Sequence, residues 1–387
     1  MRILNVSHFF ESHGGGIERV AGHICRQLTI TGDRAIWAAS SSDEAPSPPT
    51  ESLPLDCINP TERLTGLPMP IPGPRALIRL ARAVRESDAV VIHDALYVTS
   101  ILAMIMARTT RKRVVLIEHI AGIAFTSRLM QGAMALAKLL VMRPMLSAAD
   151  ELVFISDTVR RELMGDSPWR PSHLLFNGVD AAIFRPDVGA DRAAVRAEHN
   201  LPVRGKLVIF VGRFVEKKGL PVIQALARQR TDLHFALAGA GMIDPASWGL
   251  PNIHVVGQKS PQALADLYRA ADLLILPSPR EGFPLVVQEA MACGLPVICG
   301  ADTATADPKA SVWLRGAHID MLDPAGSATR CSEAIDNLDL SDFDRARMAE
   351  YAARTYSWPT MATTIARLLR GPPITVKESA SADVVVR

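Results

Sequence analysis

Short apolar runs that alternate with longer amphipathic segments constrain the fold of this chain more than any other feature of its sequence. The runs are continuously apolar, which is typical of strands buried on both faces of a parallel sheet. In the first half of the chain they lie at residues 2–9, 34–39, 89–93, 114–119, 151–156 and 173–176. A helix-like segment at residues 17–31 follows the first run. This alternation predicts an α/β fold with right-handed crossovers.

The pattern restarts after a polar segment at residues 186–204. Further apolar runs lie at residues 207–211, 233–238, 253–256, 273–276 and 297–299. Helices are predicted at residues 219–230 and after Ser260, which is placed to cap a helix that begins at Pro261. Because 387 residues exceed the usual size of one domain, we predict two Rossmann-like domains, at residues 1–185 and 186–358. The polar tail at residues 371–387 is predicted to be disordered.

One segment interrupts this pattern, because nine prolines fall between residues 44 and 74. Proline lacks the amide hydrogen that a helix interior or a central strand requires. We therefore predict a long loop here, and long loops in compact domains are usually functional or mobile.

Charge and cysteine content narrow the class of protein further. A formal net charge of +2 is too small to indicate a nucleic-acid-binding protein. The five cysteines show no Cys-x-x-Cys spacing, so we expect a reducing compartment and neither a zinc site nor a disulfide framework.

The start of the chain is typical of a strand rather than a signal peptide. The apolar stretches at residues 97–107 and 129–146 are too short or too interrupted to predict a transmembrane helix, so we expect a cytoplasmic protein.

The first candidate site is the turn Gly14-Gly15-Gly16, which follows the first strand and opens a helix. Glycines there let the backbone approach an anion closely, and a helix N-terminus presents free N–H groups to it. The Gly-x-Gly-x-x-Gly fingerprint of dinucleotide-binding proteins is absent, which argues against an NAD site. A tight turn without a ligand is the alternative.

The second candidate site is the pair Arg213 and Lys218, which follows the first strand of the second domain. Ligands of α/β sheets bind at the carboxyl ends of strands. Two cations at such a position suit a diphosphate, because arginine offers a bidentate fork and lysine a point charge. The alternative is a solvated basic loop.

The third candidate site contains two glutamates, Glu281 in a loop and Glu289 in the helix that Pro284 is predicted to start. Backbone N–H groups near Phe283 and Leu285 lie where a helix N-terminus binds phosphate. The two carboxylates can then accept hydrogen bonds from hydroxyl groups on either side of that phosphate. The alternatives are a solvated loop charge for Glu281 and an acid that offsets the helix dipole for Glu289.

Together these motifs resemble the signature of the retaining GT-B glycosyltransferases of family 4. The likeness spans roughly residues 1–300 and the segment Tyr356-Ser357-Trp358. It includes the two glutamates with seven residues between them, Gly-Phe-Pro after the first, and the motifs Val211-Gly212-Arg213, Asn177-Gly178-Val179-Asp180 and Ala238-Gly239-Ala240-Gly241. The resemblance implies a GT-B fold, in which two Rossmann-like domains face each other across a cleft and a C-terminal helix near residues 360–370 packs back on the first domain.

The resemblance also implies a role for each matching residue. The nucleotide-sugar donor is a substrate, and no cofactor or metal ion is expected, because Arg213 and Lys218 would neutralise the leaving diphosphate. Glu281 would hold sugar hydroxyls, Glu289 the ribose, and His119 would lie near the reacting centre, although a structural histidine at a strand end is the alternative. The remaining donor contacts would come from Gly15, Gly16, Val256, Gln258, Phe283, Pro284 and Leu285.

The sequence departs from the family pattern at residues 301–307, where Ala-Asp-Thr-Ala-Thr-Ala-Asp replaces the usual Gly-Gly-x-x-Glu segment. Two further readings remain open, a GT-B-like epimerase or phosphorylase and a catalytically inactive nucleotide-sugar-binding protein. The spacing of Glu281 and Glu289 argues against an epimerase. Family members often build cell-surface polysaccharides or glycolipids, so we expect a glycan or lipid-linked acceptor.

Positive charge is concentrated in one part of the first domain. Residues 75–147 contain eleven Lys and Arg residues against four Asp and Glu residues. On a helix, Arg75, Arg79, Arg82 and Arg85 fall on one side and apolar residues on the other. An ordinary crossover helix is the alternative, but the wider surplus, together with the apolar and basic stretch at residues 125–143, predicts peripheral binding to an anionic inner membrane face.

Overall fold

The structure is a computed structural model that describes residues 1–60, 69–120, 128–187, 189, 191–340 and 343–371. Within these ranges the chain forms two parallel α/β units, so the predicted fold class is confirmed. The tail predicted to be disordered lies, apart from residue 371, outside the described residues. Parts of the proline-rich segment (residues 61–68) and of the apolar and basic stretch (residues 125–127) also lie outside them.

The first unit is built on a parallel sheet with the strand order β3-β2-β1-β6-β7-β8-β9. A short antiparallel pair, β4 with β5, stands apart from it. The strands are β1 (Arg2–Val6), β2 (Arg34–Ser40), β3 (Glu51–Leu55), β4 (Cys57–Ile58), β5 (Ile71–Pro72), β6 (Ala89–His93), β7 (Arg113–Glu118), β8 (Glu151–Phe154) and β9 (His173–Leu174). The helices are α1 (Gly16–Ile30), α2 (Pro74–Glu86), α3 (Val98–Thr109), α4 (Arg128–Ala137), α5 (Arg143–Ala148) and α6 (Asp157–Met164).

The proline-rich segment is not wholly a loop, so the prediction for it was wrong at the antiparallel pair of β4 and β5 and at Glu51–Leu55. These residues form β3, which pairs in parallel with β2 and places Pro54 opposite Ala39. A proline is tolerated here because β3 is the edge strand, where an amide hydrogen can point away from the sheet without loss of a ladder bond. The argument from proline content excluded a central strand but did not exclude an edge strand.

The second unit is a parallel sheet with the strand order β12-β11-β10-β13-β14-β15. Its strands are β10 (Lys206–Val211), β11 (Leu233–Ala238), β12 (Ile253–Gly257), β13 (Leu273–Leu276), β14 (Val297–Gly300) and β15 (Leu314–Ala317). The helices of this half are α7 (Arg192–Glu198), α8 (Leu220–Gln229), α9 (Pro261–Ala270), α10 (Leu285–Ala292), α11 (Ala301–Ala304), α12 (Pro324–Asp336), α13 (Arg345–Thr355) and α14 (Trp358–Arg370). Ser260 caps α9 by accepting the amide hydrogen of Ala263, as the sequence predicts.

Helices bury apolar side chains on both faces of the first sheet. Leu80 of α2, Met104 of α3 and Met145 of α5 belong to the core on one face. On the other face, Ile24 of α1 packs in a core that also contains Ile365 of α14. The last helix of the chain therefore lies on the first unit, although the residues just before it belong to the second.

The chain crosses between the two units twice, and the crossing segments are paired with each other. Val179 and Ser357 form a parallel bridge, and the Val179 amide donates to the carbonyl of Tyr356 at 3.0 Å. Gly178 has no space for a side chain, because a Cβ atom there would lie 2.3 Å from the backbone nitrogen of Trp358. Two connections therefore run side by side between the sheets.

Each sheet has one place where the strand order reverses. In the first sheet β1 lies between β2 and β6, and in the second β10 lies between β11 and β13. The loops that follow β1 and β6, and those that follow β10 and β13, diverge to opposite sides and leave a crevice at the carboxyl ends. Ligands of open α/β sheets bind at such crevices.

Candidate active site

The segments singled out in the sequence analysis lie at these two crevices. The turn Gly14-Gly15-Gly16 follows β1, the loop from Arg213 to Lys218 follows β10, and Glu281 follows β13. The two units approach each other here, because a Cβ atom on Gly282 would lie 3.3 Å from the carbonyl oxygen of His119. The structure therefore brings His119 of the first unit next to the Glu281 loop of the second.

The glycine turn leads into the N-terminus of α1 without a side-chain cap from Gly15. Gly14 adopts a left-handed conformation with φ of 81°, and Gly15 is the N-cap residue without a side-chain cap. A Cβ atom on Gly14 or Gly16 would meet nothing within 4 Å, whereas one on Gly15 would lie 2.1 Å from Oε2 of Glu18. The Glu18 carboxylate therefore lies over the first turn of α1, where it accepts the backbone N–H of Glu18, and only part of this helix N-terminus is available to an anion.

A buried contact between a histidine and a glutamate lies directly behind this turn. Nε2 of His8 is 2.8 Å from Oε1 of Glu18, and the His8 ring stacks on Tyr97 with centroids 3.7 Å apart. Burial acts to raise the pKa of Glu18, but the hydrogen bond and charge of His8 outweigh it and hold that pKa below its ordinary value. His8 was not among the residues predicted from the sequence to form the site. A polar residue directly after an apolar strand is the signal that could have identified it.

His119 is the end of a chain of buried hydrogen bonds. The side-chain amide of Asn5 donates to the carbonyl of Ala21, so its Oδ1 accepts from Nε2 of His93 at 2.9 Å. Nδ1 of His93 then accepts the Nε2 proton of His119, also at 2.9 Å. Burial lowers the pKa of both rings, that of His119 to about 3, so both are neutral at neutral pH. This order of protons leaves Nδ1 of His119 as an acceptor.

The second unit contributes a cluster of cations. Nζ of Lys218 lies 2.5 Å from Oε1 of Glu281. Arg213 is exposed and forms no ion pair with another described residue. Partial burial lowers the pKa of Lys217, and so do the charges of Arg213 and Lys218, which shows that the three cations act on one another. The structure thus brings together Lys218 and Glu281, which the sequence analysis had assigned to separate roles, and leaves Arg213 free for an anion.

Glu289 is buried one turn into α10. Its Oε2 accepts the hydroxyl proton of Tyr268 at 3.1 Å. Burial raises the pKa of Glu289 to about 7, against the opposing effects of the Tyr268 hydrogen bond and the charge of Arg19. Because Arg19 belongs to α1, a cation of the first unit acts on a carboxyl group of the second across the crevice.

The backbone around the start of α10 is held firmly. Phe283 is buried with its ring edge against Phe176 and Tyr356, and its carbonyl accepts a hydrogen bond from Gln288. Pro284 is the N-cap residue of α10, without a side-chain cap, and Leu285 is its first residue. At the end of β12, Val256 is partly buried and Gln258 is exposed. These residues lie where the resemblance predicts donor contacts, and the roles themselves stay predictions.

The segment that departs from the family pattern, residues 301–307, contacts the first unit. The Asp157 amide donates to the carbonyl of Ala306 at 2.8 Å, and the Thr158 hydroxyl donates to the carbonyl of Asp302 at 2.8 Å. Oδ2 of Asp307 accepts the hydroxyl protons of Tyr351 and Tyr356. Residues 301–307 therefore connect α6 to the core of the second unit.

Two kinds of feature are absent from the described residues. Over those ranges, no three or more His, Cys, Asp or Glu side chains are grouped so that they could hold a metal ion. Among the helices described, none combines the length and apolar character needed to span a bilayer.

Comparison with known proteins identifies the class. Residues 14–183 match the family model described as Glycosyltransferase Family 4, and residues 191–355 match the model described as Glycosyl transferases group 1. D-inositol 3-phosphate glycosyltransferase of Mycolicibacterium gilvum is 32% identical over 245 residues, which are 58% of this chain and 51% of that protein. The chain thus spans about half the length of the curated relatives it matches.

Solved structures support the same class at the level of the fold. Sucrose-phosphate synthase of Thermosynechococcus elongatus has a TM-score of 0.73 at 20% identity, over 96% of this chain and 98% of that one. HepE of Anabaena, in complex with UDP and glucose, has a TM-score of 0.65 at 17% identity, over 96% of this chain and all of that one. Two parallel sheets with a crevice between them are the GT-B architecture. The chain belongs to glycosyltransferase family 4 and has the GT-B fold.

Proposed function

We propose that the protein is a retaining, metal-independent glycosyltransferase that moves a sugar from a nucleoside-diphosphate sugar to a glycan or lipid-linked acceptor. The observation that carries this proposal is the contact between Nζ of Lys218 and Oε1 of Glu281, with Arg213, which makes no ion pair with another described residue, in the same loop as Lys218. Fixed cations next to a carboxylate suit a ligand that has an anionic diphosphate on one side and hydroxyl groups on the other.

In the proposed reaction the bond between the anomeric carbon and the diphosphate oxygen breaks, and a bond to the acceptor oxygen forms on the same face. The acceptor proton passes to the leaving phosphate. Arg213, Lys218 and the N-termini of α1 and α10 stabilise the negative charge that develops on the diphosphate. No metal ion is needed for that task when preorganised cations and N–H groups are in place.

Donor binding would exchange partners at the Lys218–Glu281 contact. Lys218 turns to the diphosphate, which frees the carboxylate of Glu281 to accept hydrogen bonds from sugar hydroxyls. Glu289 holds the ribose, and the backbone at Val256 and Gln258 contacts the base. Burial raises the pKa of Glu289 to about 7 and so disfavours its ionised form. Ribose hydroxyls that donate hydrogen bonds to this carboxylate have the opposite effect and favour the ionised form.

The names of similar proteins suggest the substrate classes. The Mycolicibacterium relative is named for transfer to D-inositol 3-phosphate, and the Anabaena structure contains UDP and glucose. We propose a uridine-type donor and a hydroxylated acceptor used in polysaccharide or glycolipid synthesis on the cytoplasmic side of the membrane.

The experiment that tests the proposal measures release of nucleoside diphosphate from a panel of nucleotide-sugars, with and without extracts that contain lipid-linked acceptors. We expect one donor to raise the melting temperature of the protein and to release diphosphate faster when acceptor is present. Binding of a donor without any turnover would instead support a binding protein. Interconversion of the sugar while it stays attached to the nucleotide would support an epimerase.

We expect the transfer rate in this assay to be unchanged by EDTA. The physical reason is that the charge on the leaving group is stabilised by Arg213, Lys218 and helix N-termini. Complete loss of the rate in EDTA, restored by magnesium or manganese, would contradict the proposal that the reaction needs no metal ion.

We also propose that the protein binds peripherally to an anionic inner membrane face through the outer surface of α2 to α4. Arg75, Arg79, Arg82 and Arg85 of α2 are all exposed, and so are apolar side chains on the neighbouring helices. These apolar side chains are Ile78 of α2, Ile105 of α3, Leu136 of α4, and Leu139 and Leu140 just after α4. Exposed apolar residues among basic ones are typical of a surface that lies on anionic lipid.

Vesicle co-sedimentation at low salt tests this surface. We expect the protein to bind vesicles that contain anionic lipid and not neutral ones, since each basic residue near such a surface contributes roughly 1 kcal/mol. The double substitution Arg75→Glu and Arg79→Glu should reduce binding, whereas Arg228→Glu with Arg347→Glu, two exposed arginines of the second unit, should not. Equal binding to neutral vesicles would contradict the proposal.

A further inference from the structure

Two buried carboxyl groups meet directly behind His119. Asp94 follows β6 and Glu118 ends β7, and the register of these neighbouring strands places His93 opposite Ile117. The two acidic residues are therefore side by side at the carboxyl end of the sheet. Asp94 is 1% exposed and Glu118 is not exposed at all. Burying two negative charges side by side costs free energy. The contacts of each carboxyl oxygen therefore indicate which protonation state the pair adopts.

One oxygen of each carboxyl group binds the backbone. Oδ1 of Asp94 accepts the amide hydrogen of His119 at 2.7 Å, and more weakly that of Ile120 at 3.4 Å. Oε1 of Glu118 accepts the amide hydrogen of Ala95 at 3.1 Å. Asp94 thus fixes the backbone at His119, while His93 fixes the ring of the same residue.

The other oxygen of each group lacks a donor. Oδ2 of Asp94 and Oε2 of Glu118 are both buried without a hydrogen-bond partner among the described residues, and each carboxyl group acts on the pKa of the other. Two neighbouring carboxylates would leave both oxygens unsatisfied and would repel each other. One proton between the two groups would satisfy both oxygens.

The surroundings place this proton on Glu118. Asp94 accepts two amide hydrogens and its charge is better stabilised than that of Glu118, which accepts one. Burial raises the pKa of both groups, and the charge of Asp94 raises that of Glu118 further. The other titratable groups that face the pair are Glu18 and His8, Tyr97, and the neutral rings of His93 and His119.

We propose that Asp94 and Glu118 share one proton and act together as positioning residues for His119. Glu118 donates through Oε2–H to Oδ2 of Asp94, which keeps Oδ1 of Asp94 aligned on the amide of His119. The inference rests on the proposed function, since it gives His119 its place at the reacting centre. When the proton leaves to solvent at alkaline pH, the two carboxylates repel each other and His119 loses its support.

Amide substitutions test the shared proton directly. In Glu118→Gln the amide can still donate to Asp94 and accept from Ala95, and in Asp94→Asn the amide can donate to Glu118 instead. We expect each single variant to keep kcat/KM within about threefold of the wild type. In the double variant two NH2 groups face each other, so we expect kcat/KM to fall at least about tenfold and the melting temperature to fall below those of both single variants.

The pH dependence of the melting temperature tests the proposal without any substrate. The raised pKa of Glu118 means that its contribution to stability is fully present below its ordinary pKa of 4.5 and is lost as pH rises towards the folded-state value. Glu118→Gln cannot lose that proton. The difference between its melting temperature and that of the wild type should therefore shift in favour of the variant as pH rises from about 5 to about 9. Glu198→Gln, an exposed glutamate at the end of α7, serves as the control and should run parallel to the wild type.

The pH dependence of the transfer activity should also distinguish these variants from the wild type. Wild type should lose activity at alkaline pH earlier than Glu118→Gln does. Additive effects in the double variant, or melting curves for Glu118→Gln that run parallel to the wild type, would overturn the shared proton. If no donor or acceptor supports turnover, the proposed function fails while the melting measurements still decide the inference.

Discussion

Lys218→Ala or Arg213→Ala should lower kcat/KM at least about tenfold while the protein stays folded. The physical reason is that, in the proposed reaction, each substitution removes a cation that stabilises the additional negative charge developing on the leaving diphosphate in the transition state. Arg213 makes no ion pair with another described residue, so Arg213→Ala should cost only that stabilisation. Lys218→Ala also frees Glu281 from its partner at 2.5 Å, so it should affect donor binding as well.

Lys217→Ala is the matched control, since it removes a neighbouring cation of the same loop that has no proposed contact with the diphosphate. We expect its kcat/KM to stay within about threefold of the wild type. Circular dichroism and melting temperature would establish that each variant is folded. Wild-type turnover in Arg213→Ala or Lys218→Ala would mean that the leaving group is stabilised elsewhere.

Gly219→Ala should lower the free energy of unfolding by about 3 kcal/mol. Gly219 has φ of 81°, which is unfavourable for alanine, and a Cβ atom would lie 2.0 Å from the carbonyl oxygen of Pro277. The loops after β10 and β13 would have to separate to relieve this contact, which displaces Lys218 from Glu281. Urea unfolding measures the loss, and activity should fall in parallel.

Gly249→Ala separates the two causes. Gly249 also has a left-handed φ, of 66°, but a Cβ atom there would meet nothing within 4 Å. We expect this variant to lose only about 1 kcal/mol, the cost of the backbone conformation alone. Equal losses in the two variants would show that the approach to Pro277 is not tight in solution.

The continuous apolar runs predicted the order of strands and helices well, because a strand buried on both faces must be apolar along its length. The strand β3 was missed because it is an edge strand. About half of the side chains of such a strand need not be apolar, and a proline such as Pro54 is tolerated in it. Whether a proline-rich segment joins a sheet depends on the partner strand, and a single sequence does not show where that partner lies.

The motifs located the candidate site but not its connections. Arg213, Lys218 and Glu281 were selected from their places after strands, yet the Lys218–Glu281 contact joins residues 63 positions apart that no spacing rule relates. The pair Asp94 and Glu118 was missed for the same reason, since only the strand register brings the two acids together. Acidic residues at the ends of neighbouring apolar strands are the signal that could have indicated them.

The paired crossing segments have a consequence for motion. Because Val179 and Ser357 are bridged and Gly178 packs against Trp358, the two connections between the units form a narrow ribbon rather than two separate tethers. Rotation about the line through this ribbon changes few dihedral angles, whereas sliding or twisting of one unit over the other would break the bridge. We therefore expect the ribbon to act as a hinge with one preferred axis, so that closure of the crevice would return the Glu281 loop to the same place beside His119.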